Sequence, residues 1–213
     1  MKGFLFDLDG TLVDTAIDML AALSKLAQEN GIHVKPDYHQ SKELITYGSK
    51  ALVTSIFGQL NEKKFKQLQN RYLEIYQNNL VIDSKLFDGI EKVILTLDQA
   101  KIPWGIVTNK PVYLAKPLVA AIQQLNQCKI IIGGGCTQHA KPHPLPILHA
   151  IKKMQIDPEK SWYIGDAHSD IKAANAANMK SAVAKWGYLK ADDKIETWDA
   201  DMILVNSLEI LNI

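Results

Sequence analysis

The sequence predicts an α/β protein: a mostly parallel sheet with an α-helical insertion directly after its first strand. Three observations carry that prediction. Short apolar runs alternate with helix-length amphipathic stretches from about residue 87 to the end, the pattern of βαβ units. One further apolar run, MKGFLF, stands alone at residues 1–6. Between the two, residues 15–81 show helical spacing. The chain therefore begins in the sheet, leaves it to build helices, and returns.

Each element has a local reason. MKGFLF reads as a buried strand. Thr15, followed by Asp18 three residues on, has the form of a capping box, with Val13 placed to pack against the first helical turns. Ile17, Leu20, Leu23, Leu26 and Ala27 then follow helical spacing, and Gly31 is a stop. A second helix is expected over about 42–57, and a third over 61–80, with Phe65, Leu68, Tyr72 and Ile75 as its core stripe. The later strands are WGIVTN, CKIIIG, SWYIGD, SAVAKW and DMILV. Helical patterns near 89–100, 112–125, 144–155 and 169–178 separate them. The expected division is a core of residues 1–14 and 82–213 with a helical cap at 15–81.

Composition sets the bounds. A chain of 213 residues supports one substantial domain carrying an insertion, and 47% hydrophobic with 22% charged residues is ordinary for a soluble fold. Lys and Arg number 24 against 23 acids, so bulk charge points neither to nucleic acid nor to an anionic membrane. Cys128 and Cys136 match neither a disulfide framework nor a zinc site. Asp7 and Asp9 interrupt the N-terminal apolar run before it becomes a signal segment, and no run reaches membrane length. A cytoplasmic protein is expected.

In an open α/β sheet, ligands bind beyond the carboxyl ends of the strands. The polar residues at those ends are Asp7, Asp9 and Thr11; Thr108, Asn109 and Lys110; Asp166, with His168, Ser169 and Asp170 on the loop after it; and Lys141 in AKPHP. Carboxylates at a strand end are costly to desolvate unless paired or metal-bound. Asp7, Asp166 and Asp170 are hard oxygen donors suited to Mg²⁺. Lys141, the Thr108 hydroxyl and nearby backbone N–H groups suit phosphate oxygens. Gly10 places a turn where Asp9 can share the pocket of Asp7.

DLDGT at 7–11, VTN at 107–109, KP at 141–142 and GDAHSD at 165–170, in that order, resemble the four motifs of the haloacid dehalogenase (HAD) superfamily, along the whole chain. The resemblance implies a Rossmann-like core with a C1-type helical cap. It implies that Asp7 is a nucleophile forming an aspartyl-phosphate, and that Asp9 is the general acid and base. The implied catalytic set is completed by Thr108 and Lys141. Metal ligands would be Asp7, Asp9 through its backbone carbonyl, Asp166 and Asp170, around Mg²⁺. Phosphate or substrate binding falls to Gly10, Thr11, Thr108, Asn109, Lys110 and Lys141. In the cap, TYGSKAL supplies Lys50, with Gly48 and Ser49 beside it.

WGIVTNKP at 104–111 is similar to the phosphoglycolate phosphatase-like branch, and SKLFDG at 84–89 and WGY at 186–188 resemble N-acetylmuramic acid 6-phosphate phosphatases. Two positions depart from those relatives: Asp199 stands where they carry Gly, and His143 where an acid is common. The implied activity is Mg²⁺-dependent hydrolysis of a small phosphorylated acid or sugar, such as 2-phosphoglycolate or N-acetylmuramic acid 6-phosphate. A phosphosugar mutase and a non-catalytic phospho-accepting receiver domain are the alternatives. The expected partner is a small-molecule phosphate ester, with monomer and dimer both open.

Overall fold

The computed structural model describes all 213 residues and divides into two compact units, residues 1–13 with 86–213 and residues 14–85. The first is built on a six-stranded sheet. Its strands are β1 (Phe4–Phe6), β4 (Trp104–Pro111), β5 (Ile131–Gly134), β6 (Trp162–Gly165), β7 (Lys180–Ala184) and β8 (Met202–Leu204), and two short strands, β2 (Val13–Asp14) and β3 (Lys85–Leu86), lie at the crossings between the units. The sheet order is β5-β4-β1-β6-β7-β8, and every pairing is parallel. Burial on both faces explains why its strands read as continuous apolar runs instead of alternating ones.

Helices α5 (Ile90–Gln99), α6 (Val112–Ala121), α7 (Leu145–Met154) and α8 (His168–Ala176) connect these strands. Leu5, Val107, Ile132 and Tyr163 point from one face of the sheet into a core shared with Ile147 and Ala150 of α7 and Ala173 and Ala174 of α8. Alternation sends Phe4, Phe6, Trp104 and Ile106 to the other face, where they are also buried.

β1 lies at the centre because the chain builds β4 and β5 on one side of it and then crosses to β6 on the other. That reversal is a topological switch point, where α/β sheets place their ligands. Register does the rest. Phe6 lies level with Ile106 and Ile164, so the residues just beyond them emerge together at one sheet edge.

The second unit contains α1 (Ala16–Glu29), α2 (Tyr38–Ser41), α3 (Gly48–Phe57) and α4 (Glu62–Gln77). Leu68, Tyr72, Ile75 and Tyr76 of α4 are buried, Tyr72 donates to the Met19 carbonyl of α1, and Arg71 grips Glu29 with two hydrogen bonds. Phe65, expected in the same stripe, is only half-buried.

Three local expectations give way here. The helix expected over 42–57 is broken: residues 42–47 form a 3-10 turn and α3 begins at Gly48, whose φ of +71° no continuous helix accepts. Ile17 faces outward on α1 and is 37% exposed. The capping box is absent, because the Thr15 hydroxyl donates to the Met19 sulfur and Asp18 works elsewhere. The buried Asp18 carboxylate accepts the backbone N–H groups of Ile82, Asp83 and Ser84 and the Ser84 hydroxyl. Residues 82–84 are thereby tied to α1 within the second unit.

No helix is long and apolar enough to cross a membrane. Cys128 and Cys136 are free thiols.

Removing the Asp18 carboxylate strands three N–H donors. Asp18→Ala should lower the unfolding free energy by about 2–3 kcal/mol, read by chemical denaturation, and a loss under about 0.5 kcal/mol would contradict this account of the segment.

Candidate active site

Asp7 and Asp9 follow β1 directly, with the fully buried Leu8 between them, so the two carboxylates continue the alternation of the strand on one side. The chain then folds back. Leu12 and Val13 donate to the Leu8 carbonyl, Gly10 donates to the Val13 carbonyl, and Gly10 takes φ +84°. A Cβ at Gly10 would run into the Asp166 carboxylate and the Tyr188 ring, so this turn needs glycine for both its dihedral and its space.

Around Asp7 the structure gathers two more acids and one cation. Carboxylate oxygens of Asp7, Asp166 and Asp170 lie within 4.8 Å of one another. Lys141, 4% exposed, reaches Asp170 at 2.6 Å and Asp7 at 3.1 Å, and also donates to the Val107 carbonyl and the Tyr163 hydroxyl. Three ammonium protons thus face four oxygen partners. Burial alone would push Lys141 down, but Asp170 and Asp7 reverse that and hold it above its ordinary value.

One ammonium does not balance three carboxylates. Burial raises Asp7 from 3.8 to about 6 despite Lys141, with Asp170 adding to the rise. Asp166 is driven well above 3.8 by burial and then by Asp7 and Asp170. A divalent cation would relieve that cost, and three hard oxygen donors in a desolvated pocket fit one.

The remaining candidates take definite places. Thr108 is buried and its hydroxyl bonds Asp7. Lys110 sets its ammonium 3.1 Å from each oxygen of Asp9. Asp170 accepts the Ala167 N–H as well as bonding Lys141, so it braces the start of α8 from the third helical position and is not the N-cap. His168 is exposed and stacks on Trp198.

Two residues expected to bind phosphate do something else with their side chains. Thr11 is fully buried and donates to Asp166 at 2.9 Å. Asn109 bonds the Lys141 backbone in both directions, its amide accepting from the N–H at 3.0 Å and donating to the carbonyl at 2.9 Å. Each positions a charged neighbour. Lys50 is the one expected site residue in the second unit, where it is exposed on α3 and lines a cavity of about 400 Å³ with Thr54, Gln59, Glu62, Phe65 and Gln69.

Several contributors were invisible as site residues in the sequence. Tyr163 reads as strand core, yet its hydroxyl touches Lys141, the Val107 carbonyl and Asp170. In WGY, the Trp186 indole donates to the Thr11 carbonyl and the Tyr188 N–H to Asp166, while a Cβ at Gly187 would collide with Asp166 and with the Gly10 carbonyl. The motif is visible in the sequence; its partners are set by folding.

The family model for haloacid dehalogenase-like hydrolases matches residues 4–184. The chain belongs to that family. Among HAD relatives, a phosphoglycolate phosphatase of Xanthomonas campestris is 38% identical over 95% of this chain and 91% of its own. An N-acetylmuramic acid 6-phosphate phosphatase of Pseudomonas aeruginosa is 30% identical over 100% of this chain and 94% of its own. In fold, a crystal structure of a predicted phosphoglycolate phosphatase from Haemophilus somnus superposes with a TM-score of 0.88 at 24% identity, covering 100% of this chain and 97% of that one. The protein is a HAD-type phosphatase, and its acidic cluster suits the divalent metal of that family.

The raised Asp7 has a consequence for stability. A carboxyl raised from 3.8 to about 6 stabilises the metal-free fold fully below 3.8 and loses that contribution as pH rises through about 6. A divalent cation binds the ionised form, so its increase in Tm should be larger at about pH 7.5 than at about pH 5. Equal increases at both would contradict a metal site at this cluster.

Proposed function

We propose that the protein is a Mg²⁺-dependent phosphomonoesterase acting on a small phosphorylated acid or sugar through an aspartyl-phosphate on Asp7. The observation that carries this reading is that two carboxylates two residues apart have different partners. Asp7 joins the Asp166–Asp170–Lys141 cluster, while Asp9 is held apart on Lys110. Divergent environments for neighbouring acids are what separate nucleophilic from proton-transfer roles.

In the first half-reaction an Asp7 oxygen attacks phosphorus, the ester P–O bond breaks, and Asp9 gives its proton to the departing alkoxide. In the second, water attacks the same phosphorus and passes a proton to Asp9. The P–O bond to Asp7 breaks, releasing phosphate and restoring the carboxylate. Thr108 and Lys141 steady Asp7 through both. Asp7, Asp166, Asp170 and the Asp9 backbone carbonyl would hold Mg²⁺, which when bound offsets the charge crowded at the phosphoryl group. Free thiols and near-neutral charge agree with a reducing, cytoplasmic setting.

The substrates in view are 2-phosphoglycolate and N-acetylmuramic acid 6-phosphate, named after the relatives at 38% and 30% identity. Both pair a phosphate with a carboxylate, and Lys50 is the cap cation suited to the latter.

Two measurements test this. Asp7→Asn should lose turnover, by about 10⁴-fold or more, while keeping its Tm within a few degrees, and Asp9→Asn should fall by about 10²–10⁴-fold. An active Asp7→Asn would end the covalent scheme. In a phosphate-release panel, kcat/KM for the two carboxylate-bearing esters should exceed that for glucose 6-phosphate by about tenfold or more, with Lys50→Met narrowing the gap. Equal values across the panel would remove the carboxylate requirement.

A further inference from the structure

Lys110 is 7% exposed, and the chemistry above gives its charge no task. Its ammonium stands 3.1 Å from both oxygens of Asp9, whose side chain is 16% exposed. Its backbone N–H donates to the Thr108 hydroxyl, and that hydroxyl bonds Asp7. Thr108 and Lys110 are buried and Asn109 between them is exposed, so alternation along β4 puts the first two on one side. β1 and β4 run parallel in register, with Phe6 beside Ile106. Two residues two apart on β4 therefore reach two acids two apart beyond β1: Thr108 takes Asp7 and Lys110 takes Asp9.

We infer that Lys110 is a positioning residue that fixes the Asp9 carboxylate for proton transfer, and not a phosphate ligand. The inference rests on the proton-transfer reading of Asp9. A carboxylate beside the φ +84° turn at Gly10 has two torsions of its own, and a forked contact to both oxygens removes that freedom. Orientation counts in this chemistry because a misplacement of about 1 Å costs about 10²-fold in rate.

The half-reactions separate this role from phosphate binding. With 4-nitrophenyl phosphate the departing phenolate needs no proton, so the first half-reaction proceeds without Asp9. Removal of the water proton in the second still requires Asp9 in place. Lys110→Met and Lys110→Gln should therefore release a burst of 4-nitrophenolate stoichiometric with enzyme, at a rate within about threefold of wild type, followed by a steady state slowed about 10–100-fold. Acid quenching should trap the chain carrying one phosphoryl group, by intact mass, and the inhibition constant of inorganic phosphate should stay within about threefold. The burst amplitude counts folded active sites directly, so a misfolded fraction is not mistaken for a slow step.

A burst slowed as much as the steady state, weakening of phosphate inhibition by about tenfold or more, or an unchanged steady state would each overturn the inference. Failure of the parent reading shows separately, as turnover by Asp7→Asn, and would take the Lys110 role down with it.

Discussion

Three carboxylates share one desolvated pocket with a single ammonium, and most of the first compact unit is arranged to make that tolerable. Lys141 supplies charge to Asp7 and Asp170, and its remaining reach goes to a strand carbonyl and the Tyr163 hydroxyl. Asp166 lacks that ammonium and is held instead by the Thr11 hydroxyl and the Tyr188 N–H. These contacts satisfy the carboxylates as hydrogen-bond acceptors without cancelling their charge. That excess of negative charge is the physical argument for a divalent cation at this place.

The cost of the cluster explains the glycines and braces around it. Bringing the Asp7–Asp9 turn against Asp166 leaves no room for a side chain at Gly10, and the loop through Gly187 comes in equally close from the other side. Trp186 ties that loop to Thr11, and Asn109 ties the Lys141 segment to β4. Thr11 and Asn109 thus brace the charged residues beside them. Precision of this kind comes from the supporting contacts as much as from the reacting groups.

Much of this was legible in one dimension. Parallel βαβ rhythm pointed to the sheet, and its strand ends pointed to Asp7, Thr108, Lys141, Asp166 and Asp170, which the structure gathers into one pocket. What misled was local chemistry with two possible partners. Thr15 and Asp18 have capping-box spacing, yet each found a better partner in three dimensions, a sulfur four residues on and a loop some sixty residues away. Thr11 and Asn109 also bond partners far away in sequence, the Asp166 carboxylate and the Lys141 backbone, which no local pattern names. Asp199 adopts φ +62°, a left-handed conformation that favours glycine and that aspartate tolerates better than most residues.

By itself the sequence determined the α/β class, the order of strands and helices, and the list of groups able to do phosphate chemistry, because hydrophobic period and residue type are local properties. Only the tertiary structure decided which of those groups touch. The central place of β1 and its register with β4 and β6 bring residues more than a hundred positions apart within hydrogen-bonding distance. The same register divides the two acids between Lys141 and Lys110. Sequence spacing carries no record of that division, since it arises from strand pairing and burial across the sheet.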